Sequence, residues 1–276
     1  AQAQTGTQAT LIFASETTAD LDENRDLLNQ ALAESIHVSI VPPSMKLPLY
    51  GATVVGIFRH DTALIKLQNR LADPTAQFVK RAVDIVLGSI LLIVLAPIFA
   101  FLAVTIRRDG GPVFYNHTRL GKNGKVFNCH KFRSMMINSD HILQEYLKEN
   151  SDANDEWVRK RKIKKDPRVT PIGRYLRRTS VDELPQLVNV IKGEMSLVGP
   201  RPIVAEEVPH YGTFISYYLN MTPGMTGLWQ VSGRTDTSYE ERVKLDVWYC
   251  KNWTLWNDVV VLLKTCNTLA SRHGAY

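Results

Sequence analysis

The sequence predicts an α+β chain, mainly helical and membrane-associated, with a small β-hairpin and a re-entrant membrane helix, preceded by an N-terminal α/β fragment. Three observations carry this. Residues 85–106 are uncharged and mostly apolar, with Pro97 near the middle and basic pairs on both flanks. Gly121-Lys122-Asn123-Gly124-Lys125 contains the Asn-Gly signal of a tight hairpin. Before them, the first 73 residues alternate between strand-like and helix-like segments.

Composition bounds the problem. The 276 residues allow one large or two smaller domains, and 45% hydrophobic content is ordinary for a globular chain. Lys and Arg number 33 against 27 acidic residues, a formal charge of +6. That balance suits a partner bearing phosphates, and anionic lipid, nucleotide and nucleic acid all qualify. Cys129, Cys250 and Cys266 are odd in number and lack metal spacing, so reduced thiols facing the cytosol are expected rather than a disulfide framework. The opening AQAQTG has no initiator Met and no signal or transit peptide, and is read as the latter part of a longer protein.

In residues 1–73, Thr10 to Ala14 reads as a strand, Leu21 to Ala33 as a helix and His37 to Val41 as a second strand. This βαβ-like fragment lacks a Gly-rich turn after its first strand, so it is assigned a regulatory or structural role and no dinucleotide site. Asp20-Leu21-Asp22 reads as helix capping rather than as a metal-binding pair. The fragment is too small to bury a satisfactory core alone, and is expected to pack on upstream sequence or on a second subunit in a homodimer. The linker falls at Leu71 to Thr75, and residues 74–106 form the linker and membrane segment.

A straight helix over the 22 residues Ile85 to Ile106, at about 1.5 Å per residue, would cover a hydrocarbon core of about 30 Å. Lys80 and Arg81 before it and Arg107 and Arg108 after it favour the same cytoplasmic side for both ends. Pro97 encourages a kink, so two arms entering and leaving one leaflet are expected.

After it, Pro112 to Tyr115 looks extended and Val126 to Phe132 reads as the second hairpin strand, presenting Lys131 and Arg133 toward one side. Those two residues fit a phosphate clamp and ordinary strand-face charges equally. Arg159 to Lys165 holds six basic residues in seven beside Trp157, a solvated face or an attraction to anionic headgroups. Trp253, Trp256, Val259, Val260 and Leu263 fit one helical face, flanked by Lys251 and Lys264. A helix in the headgroup layer and a core helix share that pattern.

Chemistry concentrates in Arg177 to Pro202. Leu184, Leu187, Val188 and Ile191 have the spacing of one helix face, which puts Asp182-Glu183 at a helix start. Asp182 as N-cap leaves Pro185 in the first turn, where its missing N–H costs little. The helix start would keep Asp182 ionised near its ordinary pKa of about 3.9. Adjacent helical residues point about 100° apart, so separate roles are expected: Asp182 as a covalent nucleophile on phosphorus and Glu183 as an oxygen ligand for a divalent cation. Arg177, Arg178 and Arg201 gather round the same anionic site, Arg201 being held between Pro200 and Pro202.

Five ordered blocks carry a resemblance: Lys131-Phe132-Arg133-Ser134-Met135, Asp166-Pro167-Arg168-Val169-Thr170, Asp182 to Gln186 (DELPQ), Gly193 to Pro202 (GEMSLVGPRP) and Pro223 to Arg234 (PGMTGLWQVSGR). They span most of Lys80 to Tyr276, and the chain resembles the bacterial sugar transferases, or monotopic phosphoglycosyl transferases. The resemblance is greatest to large members that move galactose phosphate or glucose phosphate. It implies a Rossmann-like module at 1–73, a helix-break-helix in the membrane and a catalytic domain over 107–276. It further implies transfer of a hexose 1-phosphate from a UDP-sugar to undecaprenyl phosphate with release of UMP, through an aspartyl phosphosugar on Asp182. That reaction is the first membrane step of O-antigen, capsule or exopolysaccharide assembly.

The site implied is Asp182 and Glu183 with Mg²⁺ on Glu183, phosphate contacts from Lys131, Arg133, Arg177 and Arg201, and nucleotide contacts from the loop carrying Gln230 and Arg234. The location implied is the bacterial inner membrane, catalytic domain toward the cytoplasm. Galactose is preferred over glucose. A membrane-surface scaffold would explain the basic runs but has no use for Asp182-Glu183 between Arg177 and Arg201. Nucleic-acid binding is disfavoured by the uncharged anchor and the lack of a binding motif.

Overall fold

The computed structural model describes residues 10–14, 24, 37–41, 53–57, 62–66, 73–160, 163, 166–232 and 237–271. The chain divides into two compact units, 1–67 and 68–276. In the first, β1 (Thr10–Ala14) pairs in parallel with β2 (His37–Val41), in register Thr10 with His37 through Ala14 with Val41. Strands β3 (Thr53–Ile57) and β4 (Thr62–Lys66) form an antiparallel pair. A parallel pair needs a crossover; the helix expected at 21–33 lies, apart from residue 24, outside the described residues.

The larger unit is mainly helical with a two-stranded antiparallel hairpin, an α+β architecture. It opens on α1 (Pro74–Arg107), whose N-cap Asp73 accepts from the Thr75 amide. This helix is 34 residues long, and it is long and apolar enough to cross a membrane. Helical structure runs through Pro97 without interruption, where the sequence leads one to expect two arms.

One stripe of α1 faces the protein. Lys80, Asp84 and Gly88 repeat every four residues, Leu92, Leu95 and Phe99 continue the line, and Leu102 and Ile106 end it. The other sides stay exposed, as at Ile90, Ile93, Val94 and Phe101. At the N-terminal end the buried Lys80 ammonium donates to Asp258 Oδ2 (2.7 Å) and the Val198 carbonyl (3.0 Å). Asp84 accepts from the Leu197 amide (2.9 Å) and Ser196 Oγ (3.0 Å). Lys80 and Arg81, read in the sequence as flanking charges, are thus internal ties. At the other end Phe99 meets Phe132 edge-on, 5.3 Å between centroids.

The hairpin follows: β5 (Phe114–Leu120) pairs with β6 (Val126–Phe132), Tyr115 opposite Lys131 and Arg119 opposite Phe127. The turn holds Asn123 and Gly124 at positive φ (58° and 73°), which accounts for the Asn-Gly signal. Then come α2 (Ser139–Glu149), α3 (Ser151–Lys160), α4 (Pro171–Thr179) and α5 (Gln186–Lys192). Helix α5 ends at Gly193, φ 87°, a left-handed conformation that glycine adopts without penalty. Arg81 donates to the terminal Val190 and Ile191 carbonyls at 2.5 and 2.6 Å, satisfying groups a helix end leaves open.

Strand β7 (Ser196–Val198) lies under α1 and pairs in parallel with β8 (Gly224–Thr226), with α6 (Val208–Tyr211) and α7 (Ile215–Leu219) between them. A Cβ on Gly224 would sit 2.1 Å from the Gly199 nitrogen, so only glycine permits this backbone crossing. The chain continues through α8 (Leu228–Ser232), α9 (Tyr239–Lys251) and α10 (Leu255–Ser271). Trp253 precedes α10 and is buried, its Nε1 donating to Asp258 (3.1 Å); Trp256 and Leu263 are exposed. The five-residue apolar face expected there therefore divides into core and surface parts. Of the basic run at 159–165, residues 161, 162, 164 and 165 lie outside the described residues.

Candidate active site

Helix α4 ends at Ser180, whose left-handed backbone (φ 56°, ψ 17°) turns the chain into a 3-10 turn over Val181–Glu183. The Glu183 amide donates to the Ser180 carbonyl and the Leu184 amide to the Val181 carbonyl, both three residues back. Pro185 then occupies the cap position of α5, and neither the turn nor α5 has a side-chain cap bond. Asp182 is therefore not the N-cap that its spacing suggests. The tight turn moves the helix start past Pro185, where the missing amide costs no helix bond.

Strand β6 carries Lys131 to this turn. Its ammonium donates to Glu183 Oε1 at 2.5 Å. Asn189 of α5, fully buried, fixes the strand beside the helix: its Oδ1 accepts from the His130 amide (3.0 Å) and its Nδ2 donates to the Asn128 carbonyl (2.8 Å). Arg177, half-buried at the end of α4, donates through Nε to Ser134 Oγ (2.9 Å). Thr170 caps α4 by accepting from the Gly173 amide (2.9 Å), and its own amide donates to the Ser134 carbonyl (3.1 Å). The Lys131–Met135 and Asp166–Thr170 segments thus meet at one joint, with Met135 bridged to Val169.

The two carboxylates differ electrostatically. Burial, followed by the charge of Glu183, pushes Asp182 up to about 6, against the opposing pull of Lys131 and Arg177. This replaces the ordinary value expected for a capping aspartate, and still leaves the group mainly ionised at neutral pH. For Glu183, burial acts upward, but Lys131, Arg201 and Arg119 outweigh it and hold the carboxyl below its usual range.

Arg201 is exposed after Gly199-Pro200, with its guanidinium 5.9 Å from the Trp229 ring centre; Arg242 lies 4.7 Å from the same ring. Gln230 is on α8, its Oε1 3.3 Å from where a Cβ on Gly227 would lie. Arg234 lies outside the described residues. Arg133 is placed elsewhere: β6 ends at Phe132, and the buried guanidinium donates to the Ile106 carbonyl (3.1 Å), the Pro112 carbonyl (2.7 Å) and Asp109. It is a latch for the end of α1, and the period-two argument that paired it with Lys131 stops where the strand stops. Arg119, which no spacing singled out, is in the neighbourhood of Glu183 and Arg201.

Among the described residues no three His, Cys, Asp or Glu side chains converge as a cation site. Mg²⁺ commonly takes one or two carboxylates and completes its shell with water and substrate phosphates, so Asp182 and Glu183 fit it with a diphosphate present.

Behind Arg201 a cavity of about 20 Å³ is lined by Tyr211, Trp229, Tyr239 and Asp246, among others. Tyr211 Oη donates to Asp246 Oδ2 at 2.9 Å. Burial pushes Asp246 up to about 8, with Tyr211 and Arg201 opposing. In the unfolded chain it ionises near 3.9, so between about pH 4 and 8 the native state retains a proton that the unfolded state has released. This contribution is fully stabilising below the window and is lost as pH rises through it. Asp246→Asn is expected to remove that slope, raising the melting temperature relative to wild type more at pH 8 than at pH 5. Parallel curves for the two proteins would contradict it.

A sequence model of the bacterial sugar transferase family matches residues 75–272. The undecaprenyl-phosphate galactose phosphotransferase of Salmonella typhimurium is 51% identical over 239 residues, 87% of this chain and 50% of that protein. The exopolysaccharide production protein ExoY of Sinorhizobium fredii is 43% identical over 84% of this chain and 100% of its own length. The UDP-glucose:undecaprenyl-phosphate glucose-1-phosphate transferase of Escherichia coli is 34% identical over 87% of this chain and 45% of that protein. The chain spans about half the length of the Salmonella and Escherichia proteins.

Proposed function

The chain belongs to the bacterial sugar transferase family, and on that premise we propose that it transfers a hexose 1-phosphate from a UDP-sugar to undecaprenyl phosphate. The observation that carries the reading is the half-buried Asp182 beside Glu183 in one turn, with Lys131, Arg177 and Arg201 around them. An Asp182 oxygen attacks the sugar-bearing phosphorus, the bond to the bridging oxygen breaks, and UMP leaves with that oxygen. An oxygen of the polyprenyl phosphate then attacks the same phosphorus and the Asp182 carboxylate departs. Lys131 and the arginines offset charge on the phosphoryl oxygens and the departing nucleotide. Glu183, with Asp182 beside it, would hold Mg²⁺, which when bound supplies further charge neutralisation to the diphosphate.

Galactose is the proposed hexose, because identity is higher to the galactose phosphotransferase (51%) than to the glucose-1-phosphate transferase (34%). The step would open O-antigen, capsule or exopolysaccharide assembly. Incubation with UDP-galactose or UDP-glucose and undecaprenyl phosphate is expected to release UMP, faster from UDP-galactose. Release of UDP would overturn the reaction class, and faster turnover of UDP-glucose would overturn the sugar.

We place α1 as a re-entrant anchor in the inner membrane, with the catalytic unit on the cytoplasmic face. The support is that both ends of α1 are tied to one unit, Lys80 to Asp258 and the Ile106 carbonyl to Arg133. Single cysteines at positions 78 and 108, in a background with the exposed Cys266 removed, are expected to label only from the cytoplasmic side. Labelling from opposite sides would reject the assignment. Residues 1–73 would be a Rossmann-like regulatory or structural module, paired in a homodimer.

A further inference from the structure

Resting on that reading, we propose that Arg119 and Arg201 together hold one phosphate group of the diphosphate donor. Sequence places these residues 82 apart, and three hydrogen bonds bring them together. The Leu120 amide donates to the Ile203 carbonyl at 2.9 Å, joining the end of β5 to the chain just after Arg201-Pro202. Tyr218 Oη locks the joint by donating to the Leu120 carbonyl (2.7 Å) and accepting from the Ile203 amide (3.1 Å).

Arg119 reaches this point with one acidic partner, held at long range. Its side chain is 13% exposed. Among the described residues the guanidinium makes one hydrogen bond, Nη1 to the Pro202 carbonyl at 3.2 Å, and Glu207 stands 3.8 Å away. Burial first, and then the neighbouring charge of Arg201, lower its pKa. A guanidinium does not deprotonate in proteins, so the half-buried Arg119 and the exposed Arg201 brought side by side form a receptor for an anion. A phosphate group answers both charges, and each planar fork can donate two bonds to it.

The hairpin adds direction. Tyr115, His117 and Arg119 lie opposite Lys131, Cys129 and Phe127, on one face of the two-stranded sheet. Arg119 is therefore on the Lys131 side, and both act on Glu183. An anion between Arg119 and Arg201 lies beside the carboxylate pair, where the diphosphate of a nucleotide sugar has to sit for attack by Asp182.

Calorimetric titration with inorganic pyrophosphate tests the pair without turnover. Wild type is expected to bind, and Arg119→Gln and Arg201→Gln each to lose affinity by about tenfold or more, the range for hydrogen bonds to charged groups. The double variant should be little weaker than either single one, because both arginines serve one anion. Arg119→Lys, which keeps the charge without the fork, should fall between wild type and Arg119→Gln, and it decides the matter if Arg119→Gln has a lowered melting temperature. Absence of pyrophosphate binding by wild type, an unchanged affinity in Arg119→Gln or Arg119→Lys, or fully additive losses would overturn the pair. Ordinary UMP release without this coupling would sink the pair and leave the function standing. Coupled pyrophosphate binding without any UMP release would do the reverse.

Discussion

Asp182→Asn is expected to reduce transfer by at least about 10³-fold, a rise of ~4 kcal/mol in the barrier, because the substitution keeps the shape of the side chain and removes the nucleophile. The fold should be unaffected. Asp182 makes no cap bond, and burial already works against its charged form, so a neutral amide is tolerated there. In wild type, kcat/KM should rise with pH through about 6 and level above it, since the attacking species is the ionised carboxylate. The groups that set this limb are Glu183, Lys131 and Arg177. A melting temperature near that of wild type together with ordinary turnover by the Asn variant would remove Asp182 from the chemistry.

Glu183→Gln is expected to lower kcat by about 10²–10³-fold, the range seen when one electrostatic contact to a reacting centre is lost. It removes a cation ligand and also leaves Lys131, now 2.5 Å from Glu183, without its ion pair. Titration of Mg²⁺ into metal-stripped enzyme should restore wild-type turnover and leave the variant slow at every concentration. Normal rates in the variant, with or without metal, would contradict the role given to Glu183.

Much of this arrangement was legible from local pattern. The apolar run of α1, the strand Val126–Phe132 and the helix following Asp182-Glu183 each have a periodicity or turn signal within one short window. The failures share a cause, which is that contact partners far away in the chain decide the outcome. Lys80 looks like a flanking charge until Asp258 is folded against it. Arg133 looks like a second Lys131 until the carbonyls of Ile106 and Pro112 claim it just past the end of the strand. Trp253 fits the face of a helix that begins only at Leu255. Arg119 had no signal, since its meeting with Arg201 depends on the Leu120–Ile203 bridge. Helix-cap reasoning located Asp182 to within a turn but missed its environment, because the burial that raises its pKa comes from packing.

Covalent catalysis by Asp182 leaves a phosphosugar on the enzyme that mass spectrometry of the quenched protein detects. Wild type mixed with Mg²⁺ and UDP-galactose, with no polyprenyl phosphate, should release about one UMP per enzyme and gain one phosphohexose on the peptide containing Asp182. Added undecaprenyl phosphate should then discharge it. An unmodified peptide, with UMP appearing only when donor and acceptor are present together, would exclude an Asp182-bound intermediate.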